Sequence, residues 1–160
     1  MSTGIMQGRR VVITGTGVIS PVGLDTESFW NALVQGQSGI APLENIDLTG
    51  QEVAVGAQVK GFDPLKYMDR KEARRMDHFT QFALAAADEA MKMSGLDISA
   101  MDPYRVGTIV GSGVGGLETL ETEYGKLYSG GPARISPLFI PMMISNMAAG
   151  KISMVYGAKG

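Results

Sequence analysis

The pattern that most constrains this chain is a short β-branched run that ends in glycines and leads into a helical stretch. It occurs twice. Arg9-Arg-Val-Val-Ile-Thr-Gly15 opens onto Gly15-Thr-Gly17, and Arg105-Val-Gly-Thr-Ile-Val-Gly111 opens onto Gly111-Ser-Gly-Val-Gly-Gly116. Runs of this length and composition read as buried strands, and glycines grouped behind them read as tight strand-to-helix turns. The chain holds 22 Gly in 160 residues, well above the average usage of about 7%. They cluster at 15–17, 111–116, 130–131 and 150–160. Strand, glycine turn and helix in repetition predict an α/β fold built on a layered sheet.

The helices are marked by caps and stripes. Asp25, Thr26 and Ser28 supply capping oxygens for a helix reaching about Gln35. Phe29, Trp30, Leu33 and Val34 form its apolar stripe, and Gly36 and Gly39 end it. Residues 40–62 read as a hairpin-like excursion, with Glu52–Val59 as a strand. Asp63-Pro64 starts a short helical turn. The longest helix is predicted from about Arg70 to Ser94, closed by Gly95, with Phe79, Phe82, Ala83, Ala86, Ala90 and Met93 on one narrow face. Its alanines let a neighbouring element approach closely. A last helix is predicted from Leu117 to about Tyr128, ahead of the Ser136–Val155 region.

Composition excludes several classes of function. The length suits one domain with a core and is too short for two large ones. Apolar residues make up 44% and charged residues 19%, an ordinary globular balance. A net charge of −2 gives no support to nucleic-acid binding. The absence of cysteine rules out a disulfide framework and a thiolate metal site. Met1–Arg10 has no apolar leader region, and no apolar run nears the ~20 residues of a membrane span, so a soluble cytoplasmic protein is expected. Eleven Met, four of them within Met142–Met154, read as adaptable core packing.

Three motifs invite chemistry. Gly111-Ser-Gly113-Val-Gly-Gly116 fits G-x-G-x-x-G in a strand-to-helix context. A dinucleotide site also needs an acidic residue about 20 positions on, where Gly130-Gly-Pro-Ala-Arg134 offers neither a carboxylate nor a strand. A close-packed glycine turn is therefore preferred over cofactor binding, and no cofactor is expected. Arg70-Lys71-Glu72-Ala73-Arg74-Arg75 places four cations at the start of the long helix, facing the positive end of its dipole. That cost is tolerable if an acidic partner docks; a solvated surface patch is the plain alternative. His78 is the one histidine. Beside Asp77 on the long helix it reads as structural, and no catalytic triad or metal-ligand cluster is assembled.

Gly130–Gly160 closely resembles one segment of the type II β-ketoacyl-acyl-carrier-protein synthases, the condensing enzymes of fatty-acid elongation. Ordered matches extend this resemblance over essentially the whole chain: Arg10-Val-Val-Ile-Thr-Gly-Thr-Gly17, Ser20-Pro-Val-Gly23, Gly36-Gln-Ser-Gly-Ile40, Arg70–Asp77, Gly111–Gly116 and Ile135–Gly160. The resemblance implies the first half of a thiolase-like fold, α/β/α and incomplete, with residues 1–160 as the N-terminal part of the synthase domain and a homodimer as the working form.

It also implies the chemistry. A cysteine thiolate takes an acyl group from the carrier protein; malonyl-carrier protein then loses carbon dioxide, assisted by two histidines, and the carbanion attacks the acyl-cysteine. The cysteine is expected one short strand (~5–10 residues) beyond Gly160. His78 corresponds to neither histidine, so this chain contributes no catalytic residue and is expected to be inactive alone. Lys71, Arg74 and Arg75 match positions that contact the acidic acyl carrier protein, with Arg134 as a further cation; Ala133 stands where relatives often carry another. Val114 matches a residue lining the acyl-chain pocket. Phe139 and Ile140 match residues closing its bottom across the dimer interface. A short homologue that only binds carrier protein or pairs with a partner subunit is the alternative. The apolar surface of 142–154 and the strand edges predict self-association of the piece by itself.

Overall fold

The structure, a computed structural model, describes residues 10–129 and 135–160. Its axis is α3 (His78–Ser94), which Asp77 caps at one end and a left-handed Gly95 closes at the other. On one side the Gly15–Gly17 segment meets α3 backbone to backbone. A Cβ on Gly17 would stand 1.9 Å from the Ala86 carbonyl oxygen, and one on Gly15 2.2 Å from that of Ala90. This is the close approach that the alanine face predicts. On another side α6 (Met147–Tyr156) packs against α3; Ala148 of α6 is fully buried, and so nearly are Leu84 and Ala85 of α3. The buried positions of α3 thus include Leu84 and Ala85 rather than the predicted Met93, which stays exposed.

The predicted helix from Arg70 is two helices. α2 (Arg70–Ala73) is a single turn capped by Asp69, and the backbone then leaves helical geometry so that Asp77, with φ −69° and ψ 159°, can start α3 afresh. Buried Gln81 stabilises the break: its Nε2 donates to the carbonyl of Met76 at 3.0 Å and to that of Ala73 at 2.9 Å, the latter accepting also from the Met76 N–H at 3.3 Å. The helical periodicity runs through the break without interruption. Only the two potential caps, Asp69 and Asp77, signal it.

The helices at 26–34 and 117–128 follow their sequence signals, whereas the predicted Glu52–Val59 strand shortens to two residues, the length over which it has a partner. α1 spans Thr26–Val34 with Asp25 as its cap. The 40–62 excursion is an antiparallel pair, β1 (Ala41–Pro42) with β2 (Val55–Gly56), and a 3₁₀ turn at Pro64–Lys66 follows Asp63. α4 spans Leu117–Tyr128 and α5 Phe139–Met143, and the two pack together.

The two β-branched runs depart from expectation. Among the described residues neither carries a strand ladder, and both are exposed: Val11 is 90% accessible and Ile109 99%. A strand is defined by its neighbours, and nothing described here lies alongside either run for its length. The first run meets α3 at its terminal Gly15, and the second is approached at Val106, whose carbonyl accepts from the Gly160 N–H at 2.9 Å. The α1 stripe is exposed for the same reason, with Trp30, Leu33 and Val34 open and Ala32 buried instead. No helix among the described residues is long and apolar enough to cross a membrane.

Candidate functional site

The cationic cluster lies on α2 and the break behind it. Because α2 is one turn long, Arg74 is its C-terminal cap and Arg75 follows in non-helical chain. The expected dipole penalty is offset: Met76 and the negative cap Asp77 stand between Arg75 and the first turn of α3. Lys71, Arg74 and Arg75 are exposed. Arg75 approaches Glu72 only loosely, at 3.9 Å, while the other oxygen of Glu72 is taken by Lys151 of α6 at 2.9 Å. Lys71 and Arg74 have no ion pair among the described residues. The break places these cations on one helical turn and the non-helical chain behind it, as an exposed basic corner. Arg134 lies outside the described residues.

The second group surrounds the glycine turn. Gly115 has φ +88°, and a Cβ there would stand 2.1 Å from the Met143 carbonyl; at Gly116 it would stand 2.7 Å from both the Met142 carbonyl and Asp77 Oδ2. The Gly116 N–H donates to the Met143 carbonyl at 2.8 Å. The turn is thus wedged between α5 and the start of α3, and this close packing requires glycine. It leaves Val114 63% exposed at the tip. Phe139 and Ile140 lie on α5, the helix the turn touches, with Phe139 half-buried and Ile140 53% exposed. The structure therefore brings Val114, Phe139 and Ile140 onto adjoining elements and leaves an open apolar surface there.

The phosphate reading of the glycine run meets a charge of the wrong sign. The N-terminus of α4, where a pyrophosphate would sit, is occupied by the Asp77 carboxylate, which accepts from the Thr119 N–H at 2.9 Å and the Thr119 hydroxyl at 2.6 Å. His78, the neighbour of Asp77, places Nδ1 2.5 Å from Glu118 Oε2 in the first turn of α4 and stacks its ring on Phe82. Both His78 and Glu118 are exposed. Among the described residues no cluster of His, Cys, Asp or Glu is arranged to hold a metal ion.

Sequence reasoning missed the carboxylates that hold this layout. Glu89, on the alanine face of α3, accepts from the N–H groups of Val18 at 2.9 Å and Thr26 at 2.7 Å, fastening the first glycine segment and the start of α1. Glu123 of α4 accepts from Lys126 Nζ at 2.6 Å and the Ser136 N–H at 2.8 Å. The Lys126 bond and then the Ser136 N–H hold its carboxyl below the usual glutamate range. An acid inside an otherwise apolar helical stripe is the one available signal, and it marks Glu89 alone.

Comparison with known proteins agrees on one family. The model for the β-ketoacyl synthase N-terminal domain matches residues 8–160. The 3-oxoacyl-[acyl-carrier-protein] synthase 2 of Vibrio cholerae serotype O1 is 46% identical over 155 residues, covering 97% of this chain and 37% of the relative. The protein of the same name from Staphylococcus aureus is 45% identical over 154 residues, 96% of this chain and 37% of the relative. The chain therefore spans 37% of the length of these curated relatives. Among solved structures, a type II PKS acyl-carrier protein in complex with its ketosynthase bound to the hexaketide superposes with a TM-score of 0.76 at 29% identity, over 94% of this chain and 39% of that one.

Proposed function

The chain belongs to the β-ketoacyl synthase family, and on that premise we propose that it supplies the carrier-docking face and part of the acyl-chain wall of a fatty-acid-elongating condensing enzyme. The fold is that of the first part of a thiolase-like ketosynthase. The observation that carries the reading is the basic corner. Lys71, Arg74 and Arg75 project from a chain whose net charge is −2. Such a corner costs self-repulsion unless an acidic surface meets it, and an acyl carrier protein provides one.

In this reading the carrier docks at Lys71, Arg74 and Arg75, with Arg134 as a further contact. Its acyl chain runs toward Val114, and Phe139 and Ile140 close the far end in a homodimer. Burying the chain against these side chains contributes about 0.8 kcal/mol per methylene, and bulk at Val114 limits its length by exclusion. Condensation itself requires a nucleophile. The acyl group moves to a cysteine sulfur, malonyl-carrier protein loses carbon dioxide, and the carbanion displaces the sulfur to give the β-ketoacyl product. This chain has no cysteine, and its one histidine is engaged with Glu118, so its part is binding rather than chemistry. A cytoplasmic location accords with substrates carried on a carrier protein.

The test is direct. The 160-residue chain, mixed with acyl- and malonyl-loaded carrier protein, is expected to bind carrier protein in a calorimetric titration and to release no carbon dioxide above the blank. Absence of binding at micromolar concentrations overturns the docking role. Carbon dioxide release with formation of a β-ketoacyl product overturns the non-catalytic one.

A further inference from the structure

One carboxylate serves two helix N-termini. α4 begins behind Gly116, which has no side chain to cap it, so its first N–H groups need partners from elsewhere. Asp77 provides one from 42 positions away: Oδ2 accepts from both the backbone N–H and the hydroxyl of Thr119. Its Oδ1 meanwhile accepts from the Phe79 N–H in the first turn of α3, at 3.4 Å. Asp77 is 8% exposed, and its charge lies at the positive end of both helices. Immediately before it in the chain stand Arg74, Arg75 and buried Met76. On its other side Gly116 has no room for a Cβ between Asp77 and the Met142 carbonyl.

We infer that Asp77 is a positioning residue that fastens the basic corner to the glycine turn, so that a carrier protein held at Arg74 and Arg75 and the turn carrying Val114 move as one body. The carrier part of this inference rests on the function proposed above; the shared cap does not. Asp77 also explains the interrupted helix. An unbroken helix through residue 77 would hold this residue in helical geometry, and the carboxylate would lose its place as the cap of α3.

Hydrogen–deuterium exchange on the 160-residue chain, alone and with acyl carrier protein, tests it. Asp77→Asn keeps one acceptor but presents an NH₂ to the second donor, so it can cap one helix and not both. In the free chain it is expected to speed exchange in the first turn of α3 or of α4 by about tenfold, the scale of one charge-assisted hydrogen bond, while α1 and α6 stay unchanged. Thr119→Val, which keeps the backbone donor, is expected to give a smaller rise confined to α4. Carrier binding is expected to protect Gly115–Thr119 in the wild type and not in Asp77→Asn. Three results overturn the inference: unchanged exchange at both helix starts, a uniform rise across all helices, or carrier-induced protection of Gly115–Thr119 that survives Asp77→Asn. If the wild-type chain fails to bind carrier protein, the docking function falls, and exchange in the free chain alone decides the shared cap.

Discussion

Gly115 and Gly111 belong to the same glycine run and have opposite reasons for being there. Gly115 has φ +88° and a backbone oxygen where its Cβ would be; Gly111 has open space around it and an ordinary φ. Gly115→Ala combines left-handed strain with a backbone clash and is expected to cost about 2–4 kcal/mol. Gly111→Ala is expected to stay within about 0.5 kcal/mol. Paired thermal melts check both, and equal losses would remove the wedge as the reason for glycine here. Val114 is 63% exposed, so in the proposed role it acts on specificity rather than stability. In a synthase containing this segment, Val114→Phe is expected to shift product distribution toward shorter acyl chains, read by chromatography of the products. An unchanged distribution would contradict its place in the acyl wall.

Carboxylates accepting from backbone N–H groups are the theme at the scale of elements. Asp77 holds the start of α4, Glu89 the start of α1, and Glu123 the segment at Ser136. Glu123 gives this scale its pH dependence. Its carboxyl is held below the ordinary value of 4.5 by Lys126 and the Ser136 N–H. A depressed folded-state value means that the contribution is present above about pH 4.5 and fades as the pH falls below that, through the folded-state value. Glu123→Gln is therefore expected to melt below the wild type at pH 7 and to approach it in acid; a gap as wide at pH 3 as at pH 7 would contradict this. Element identity was legible in the sequence wherever local chemistry decides it. Asp25, Asp63, Gly95 and the Leu117 start all mark observed boundaries. The break at Arg74–Asp77 was not legible. Its stabilising contacts come from Gln81, one helical turn on, and from Thr119, on another helix.

For the whole molecule, what the sequence could not supply is the neighbours of its own strands. Val11-Val-Ile13 and Ile109 have the composition of a buried sheet and the exposure of a loop, because pairing is a property of two segments and local pattern describes only one. Trp30, Met154 and Val155 are exposed as well, and apolar side chains left open favour association. Sedimentation of the 160-residue chain is expected to show concentration-dependent self-association. A single monomeric species at tens of micromolar would contradict it. The docking face and the glycine turn, by contrast, were legible as residues. Their juxtaposition through Asp77 emerged only in three dimensions.

The central claim is that the basic corner receives an acidic carrier. Titration of acyl carrier protein into the wild-type chain and into the Arg74→Glu/Arg75→Glu variant, at low and at physiological salt, tests it most directly. The predicted result is binding that weakens with salt and drops at least about tenfold on charge reversal, as steering between opposite charges requires. Equal affinity of the two proteins at both salt concentrations would contradict the claim.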